Sequence, residues 1–519
     1  MKKYLFFPFF FAALVSVAQN TNTVSEKFAA SITPQKLQEK LTVIASAEME
    51  GRETATPAQK RAAMYIENQF KKYGLKSGNA DSYQMQFPVY QSELADKKLS
   101  VNGKNFEWNK DFNFLLNSSS NINATFENTV FAGFGIVDAT SKINDYDNLG
   151  VKGKIVVVLD GTANETASPQ GINRFRGPGS IFTKISNAQN KGAAGIVVVM
   201  NNFLTTHIPF PEKTMSLQAA NTSNTSNTSF FAATISEEVA SQLLGLTTVA
   251  KFSSLQEFPK KIYHAELKII IDKTTTELQS SNVLAILPGT EKKDEYVFLT
   301  AHYDHLGKHG DVIYYGADDD GSGTTAVLQM AETFAAAAKK GYKPKRNIVF
   351  MTVSGEEKGL WGSHYYSEHP IFSLDKTSAD LNTDMIGRID TERKLADTLN
   401  YVYVIGHDKL STDLVKINEE VNNKFTHLTL DYRFDNPSDV NRIYYRSDHF
   451  NFARKGVPIL FFYDGMLKAD YHQPTDTVDK INFNLMAKRT QLIFLTAWEI
   501  ANKDELLKRD LPLNMPASR

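Results

Sequence analysis

The 519-residue chain contains no cysteine. That excludes disulfides, thiolate nucleophiles and cysteine-held zinc, so any metal must rest on histidine and carboxylate ligands and the fold on its apolar core. Charge of one sign is also lacking. Fifty-seven Lys and Arg stand against 58 Asp and Glu, a net charge of −1, which leaves no electrostatic reason to expect nucleic acid or an anionic membrane as partner. No glycine-rich phosphate loop is present, so no nucleotide cofactor is expected. After the N-terminal segment no apolar run is long enough to span a bilayer. With 42% hydrophobic and 22% charged residues this is globular composition, and the length suits two or three domains.

The N-terminus has the pattern of a secretory signal. Lys2-Lys3 is followed by an apolar, Phe-rich stretch over residues 4–17, and Ser16-Val17-Ala18 fits small-x-small cleavage. A membrane anchor is disfavoured by the shortness of the stretch and by Pro8. Residues 1–18 therefore read as a removed signal peptide. The expected location is periplasmic or extracellular, with no membrane association once the signal is gone.

Thr33-Pro34 and Thr56-Pro57 are helix starts, each an N-cap threonine before proline at the first helical position. Leu37, Leu41 and Ile44 mark one helical face, and Ala63, Ile66, Phe70 and Tyr73 another, with Gly74 as a C-cap. From about residue 124 the character changes. Apolar runs at 153–159 and 196–200 flank a helical stretch at 180–191, a small α/β unit. Residues 221–229 repeat Asn-Thr-Ser and read as a solvated loop; the acceptor tripeptides there and at Asn117 are weak glycosylation signals. From 267 a larger α/β pattern returns. Its strands are expected at 283–287, 296–300, 347–353, 401–405 and 457–462, and its helices at 323–340 and 485–501. The division is thus 1–18 signal, 25–123 and 267–510 two parts of one large α/β domain, and 124–266 a smaller inserted one.

The chemistry concentrates at the ends of these strands. His302-Tyr-Asp304 follows the run 296–300, and i and i+2 of a strand share a face. Asp304 could serve as the carboxylate that fixes the tautomer of a ligating histidine. Asp318-Asp319-Asp320-Gly-Ser-Gly opens the helix 323–340. Three acids there could simply charge a helix N-terminus, and their spacing is not that of a calcium loop. Glu356-Glu357 follows the strand 347–353; adjacent glutamates point apart, so one could ligate while the other moves protons. Asp384 follows Leu-Asn-Thr, and His472 lies in Asp-Tyr-His-Gln-Pro-Thr-Asp. Each is weak alone. Together, nitrogen and oxygen ligands at successive strand ends suit two divalent metals and a two-metal hydrolase. Ser447-Asp448-His449 cannot be a triad, because consecutive residues cannot serve one another. His305, His309, His364 and His369 read as surface or structural histidines beside the motifs.

With these motifs in this order, the chain resembles the M28 family of co-catalytic zinc aminopeptidases, over 31–123 and 267–501. Glu50-Gly51-Arg52 and Tyr73-Gly74-Leu75 are similar to that family as well. Gly153-Lys-Ile-Val-Val-Val and Gly192-Ala-Ala-Gly-Ile-Val-Val-Val199 resemble a protease-associated (PA) domain. The resemblance implies an α/β fold with a central mixed sheet flanked by helices, two zinc ions, and a cis peptide at Asp319–Asp320. It implies that Asp319 bridges both zincs, that His302 and Asp384 complete one, that Glu357 and His472 complete the other, and that Glu356 is the general base. Tyr444, three residues before Ser447-Asp448-His449, is similar to a tyrosine that steadies the oxyanion in some relatives. Asp320 replaces the asparagine of many members. The reaction so implied is removal of residues from peptide or protein N-termini. Three rivals share the scaffold. A metallocarboxypeptidase would need cations such as Arg388, Arg433, Arg442 or Arg446 for the substrate carboxylate. A glutaminyl cyclase uses one zinc. A catalytically dead binding protein would typically have lost ligands.

Overall fold

A computed structural model describes residues 24–116, 119–139, 142–162, 177–203, 212–217, 230–251 and 258–515. The signal at 1–18, Asn117 and the repeat at 221–229 lie outside the described residues. Two compact units emerge, one of Met1–Pro88 with Gln279–Arg519 and one of Val89–Leu278. The segment 124–266 expected as an insertion falls within the second, which extends past it on both sides.

The first unit is a mixed α/β layer. Its sheet runs, in order, through Thr429–Asp431, Tyr401–Ile405, Ile459–Tyr463, Thr377–Thr383, Lys292–His302, Arg346–Val353 and the Val283–Leu287 end of strand Ile262–Leu287. Ile459–Tyr463, Thr377–Thr383, Lys292–His302 and Arg346–Val353 are parallel to one another. Parallel strands are covered on both faces, and accordingly Arg346–Val353 and Thr377–Thr383 are buried along their whole length. Helices Pro34–Ile44 and Pro57–Tyr73 begin where Thr33 and Thr56 accept hydrogen bonds from the N–H groups of Lys36 and Gln59. Gly74 ends the second in the left-handed conformation that favours glycine. Gly321–Lys339 and Phe483–Asn502 are buried on most sides. Among the described residues no helix is long and apolar enough to cross a membrane.

Thr377–Thr383 is a strand that periodicity does not reveal, because Thr, Ser, Asp and Asn fill it. Some of its polar groups are paired: Thr300 Oγ1 donates to Asp380 Oδ1 at 2.8 Å, and Asn382 donates to Ser447. Asp380 Oδ2 has no hydrogen-bond partner among the described residues. Burial, with Asp448 nearby, pushes the Asp380 carboxyl up to about 8 against the help of Thr300. The folded state therefore holds this proton near neutrality while the unfolded chain, at about 3.9, does not. The stability it confers is full below about pH 4 and is lost as pH rises towards 8. Asp380→Asn cannot ionise. It should flatten that slope, by on the order of 2 kcal/mol between pH 5 and pH 7, in denaturant titrations at each pH; an unchanged slope would show Asp380 already ionised in the fold.

The second unit is built on Ile122–Phe131, Ile155–Leu159, Gly195–Val199 and Phe231–Ile235, parallel in that order, with Phe112–Phe114 antiparallel beyond. Alternate residues feed two separate apolar clusters. Val157 and Val197 join one and Val156, Val158, Ile196 and Val198 the other, as the period of two requires. The Lys184 ammonium is buried against the carbonyls of Phe134, Leu159 and Gly161. Burial lowers it to about 8.

Candidate metal centre

The carboxyl ends of the parallel strands converge on one acidic cluster. His302 closes strand Lys292–His302, Glu356 and Glu357 follow Arg346–Val353, Asp384 follows Thr377–Thr383, and His472 lies beyond Ile459–Tyr463. Asp319 enters from the turn ahead of helix Gly321–Lys339. Of the three neighbouring acids only Asp319 faces this group. Asp320 caps the helix through Gly323 N–H and also accepts from the N–H groups of His302 and Met385. Asp318 accepts from Gly387 N–H. The Asp319–Asp320 peptide is cis.

Asp319 divides the cluster in two. Its Oδ1 is 3.2 Å from His302 Nε2, which is 3.5 Å from Asp384 Oδ1. Its Oδ2 is 3.1 Å from His472 Nε2, which is 3.0 Å from Glu357 Oε2. Ligands about 2.0–2.1 Å from one tetrahedral zinc stand about 3.3 Å apart. Both halves therefore have the spacing and the nitrogen–oxygen donor set that a zinc ion needs, and His302 Nε2 has no hydrogen-bond partner to compete for it.

Charge follows this geometry. Burial would raise the Asp319 carboxyl, but His302 and His472 hold it well below the usual range. Glu357, despite burial and Asp319, is brought down to about 2 by His305 and His472. Burial disfavours the charged form of His472, yet Asp319 and Glu357 push it up to about 10. Glu356 differs. Burial, with Glu357, Asp384 and Asp448 outweighing His302, raises it well above the ordinary carboxylate range. Its Oε2 is 3.8 Å from His302 Nε2.

A second layer fixes these side chains. His302 Nδ1 is 3.1 Å from the Asp304 carbonyl, which leaves Nε2 facing Asp319 and Asp384. The Asp304 carboxylate accepts from Thr54 Oγ1 and from Glu356 N–H. Asp476 accepts from the N–H groups of Asp318 and Asp319, tying the His472 loop to the Asp319 turn. Arg52, wholly buried, donates to the carbonyls of Ile44, Tyr303, Tyr315 and Gly316. It thereby pins the loop after His302 and the turn before Asp319 to one guanidinium.

Six of the seven residues singled out from the sequence, His302, Asp319, Glu356, Glu357, Asp384 and His472, are brought together. Tyr444 is not. It sits on the turn Ile443–Tyr445 with its ring 5.3 Å from Lys409 Nζ and 5.4 Å from His449. Burial raises its hydroxyl well above the ordinary value, and Asp435 and Asp408 are the charges it meets. The residues that line the cavity over Asp319, Glu356 and Asp384 are Met385, Ile443, Arg446, Phe461, Tyr463, Leu467 and Tyr471. Two phenols line this cavity, Tyr463 and Tyr471, and Tyr471 packs on a histidine of the centre. Its ring stacks on His472 at 3.9 Å, and its hydroxyl accepts from Arg446 Nη2 at 2.8 Å. Two residues along a tight turn separate Tyr444 from Arg446, and that half-rotation decides which of them faces the cavity. His305 also belongs to the cluster, with Nδ1 2.7 Å from Glu357 Oε1. The sequence signal for it was its place three residues after His302.

Residues 282–497 match the family model of peptidase family M28, and residues 127–243 match the PA domain. The chain carries an M28 peptidase domain. It carries a PA domain as well, so both resemblances read from the sequence hold, as does the mixed α/β class. A probable leucine aminopeptidase of Trichophyton verrucosum (strain HKI 0517) is 30% identical over 227 residues, 42% of this chain and 57% of that relative. A probable glutamate carboxypeptidase of Arabidopsis thaliana is 36% identical over 105 residues, 20% of this chain and 14% of the relative. The chain thus spans little more than half the length of the leading curated relatives it matches. Among solved structures, an aminopeptidase from Aneurinibacillus sp. strain AM-1 superposes with a TM-score of 0.58 at 19% identity, covering 95% of this chain and all of that one. BSAP, a zinc aminopeptidase from Bacillus subtilis, gives 0.52 at 19% identity, with 93% and 99% covered. These two likenesses show the fold.

Proposed function

We propose that this chain is an exported di-zinc aminopeptidase that hydrolyses the N-terminal peptide bond of peptides. The observation that carries the reading is the division of Asp319, whose two oxygens serve two separate ligand sets, His302 with Asp384 and His472 with Glu357. Bound there, two zinc ions would supply Lewis acidity and lower the pKa of a water towards neutrality. Glu356 takes the proton of that water on a carboxylate oxygen and returns it to the departing amine nitrogen. The Tyr471 hydroxyl, oriented by Arg446, faces the carbonyl oxygen of the scissile bond. Met385, Ile443, Phe461 and Leu467 make the adjacent wall apolar, which suits an apolar first side chain.

One observation favours a second reading. Arg446 Nη1 lies buried at the cavity with no hydrogen-bond partner among the described residues, and a carboxypeptidase would use such a cation for the substrate's terminal carboxylate. The other candidate arginines are engaged: Arg388 with Asp470, Arg433 with Asp390, and Arg442 over the Tyr445 ring.

A panel of aminoacyl-p-nitroanilides with N-acetylated controls, and of N-acyl dipeptides with free carboxylates, separates the two. Chelator-sensitive cleavage of free-amine substrates alone is expected, with leucine or methionine above alanine. Cleavage of the N-acyl dipeptides instead would overturn the aminopeptidase reading.

A further inference from the structure

His305 lies against the same half of the centre as His472. It is wholly buried, and neither ring nitrogen has a hydrogen-bond partner among the described residues. Its Nδ1 stands 2.7 Å from Glu357 Oε1 and 3.9 Å from Asp319 Oδ2, while its ring meets that of His472 edge-on at 5.8 Å. Glu357 Oε1 is likewise without a partner. The 2.7 Å approach of His305 Nδ1 to Glu357 Oε1 is an ion-pair distance that does not reach hydrogen-bond geometry. One cation between Nδ1, Glu357 Oε1 and Asp319 would satisfy these facing atoms, and the donor atoms of His305, Asp319 and Glu357 fall within 4.8 Å of one another. The chain also makes room for this ring. A Cβ on Gly316 would lie 2.5 Å from the His305 ring carbons, so only glycine fits there. Arg52 holds the Tyr303 and Gly316 carbonyls on either side of it.

We propose that His305 is a further protein ligand, through Nδ1, of the metal position formed by Asp319, Glu357 and His472. The proposal rests on the two-metal reading and makes its two positions unequal. One carries two imidazoles and two carboxylates, a closed set of the kind that holds structural zinc. The other, with His302, Asp319 and Asp384, keeps an open place beside Glu356. The exchangeable metal and the reactive water then belong to the second of these, and the closed position stays filled when that one is emptied.

The test uses the full mature chain. A double variant His302→Ala/Asp384→Asn keeps the ligands of the closed position and removes the only other imidazole. Loaded with one equivalent of zinc, it should retain the ion through dialysis, and X-ray absorption should show two imidazole nitrogens on it. One imidazole, or no retention at micromolar protein, overturns the proposal. In the otherwise natural chain, His305→Gln should weaken the tighter zinc by more than about 100-fold in chelator competition, beyond the about 10–100-fold loss typical of a partner placed behind a ligand. An unchanged affinity also overturns it. The failures are distinguishable: a natural chain that binds no zinc removes the metal centre itself, whereas two bound zincs with one imidazole at the closed position remove only the role of His305.

Discussion

Glu356→Gln is expected to lower turnover by about 10³–10⁴-fold while both zinc ions stay bound. The residue is placed for proton transfer. It follows the buried strand Arg346–Val353, its N–H is held by Asp304, and its carboxylate lines the cavity rather than the space between the histidines. Burial among Glu357, Asp384 and Asp448 keeps its affinity for a proton above that of an ordinary glutamate, the direction a base needs if it is to accept a proton from water and return it to an amine. Glutamine has the same shape and cannot take up the proton. The competing assignment is as a ligand, since Glu356 also offers an oxygen close to His302 and Asp384. Zinc analysis on the variant decides. Full metal with lost turnover supports the base; one zinc lost in parallel with activity makes Glu356 a ligand, and full turnover removes it from the chemistry.

Much of this was legible in the sequence because parallel strands announce themselves as short apolar runs and their ends carry the chemistry. The run 401–405 coincides with the strand Tyr401–Ile405, and the run 347–353 differs from Arg346–Val353 only at its first residue. The metal-facing residues stood in recognisable order at those ends. What escaped were features set by tertiary contact. Thr377–Thr383 is too polar to read as a central strand; backbone pairing with Lys292–His302 and Ile459–Tyr463 makes it one, and bonds to Thr300 and Ser447 take up some of its polar side chains. Tyr444 and Arg446 lie two apart on a single turn, and the direction of each depends on what packs behind it, Lys409 and His449 in the case of Tyr444. His305 looked like one of four incidental histidines. Its burial beside Glu357 comes from the way Arg52 folds two loops together, which no local pattern encodes.

Asp319→Ala should weaken binding at both metal positions, where Asp384→Asn should weaken only one. The reason is the division of one carboxylate between two ligand sets, 3.2 Å from His302 on one oxygen and 3.1 Å from His472 on the other. Removing it strips an anionic ligand from each position and leaves the imidazoles of His302 and His472 without the charge that held them. Stability should follow. An ion that binds only the folded state adds about 4 kcal/mol when present at about a thousand times its dissociation constant. The natural chain should therefore melt at a higher temperature with zinc than after chelation, and Asp319→Ala should show a smaller difference at the same zinc concentration. Asp384→Asn should keep part of the difference, because Glu357 and His472 still have Asp319 between them. Zinc content by mass spectrometry and melting curves with and without chelator read all three proteins. If Asp319→Ala leaves the zinc affinity of either position unchanged, the two positions do not share that carboxylate.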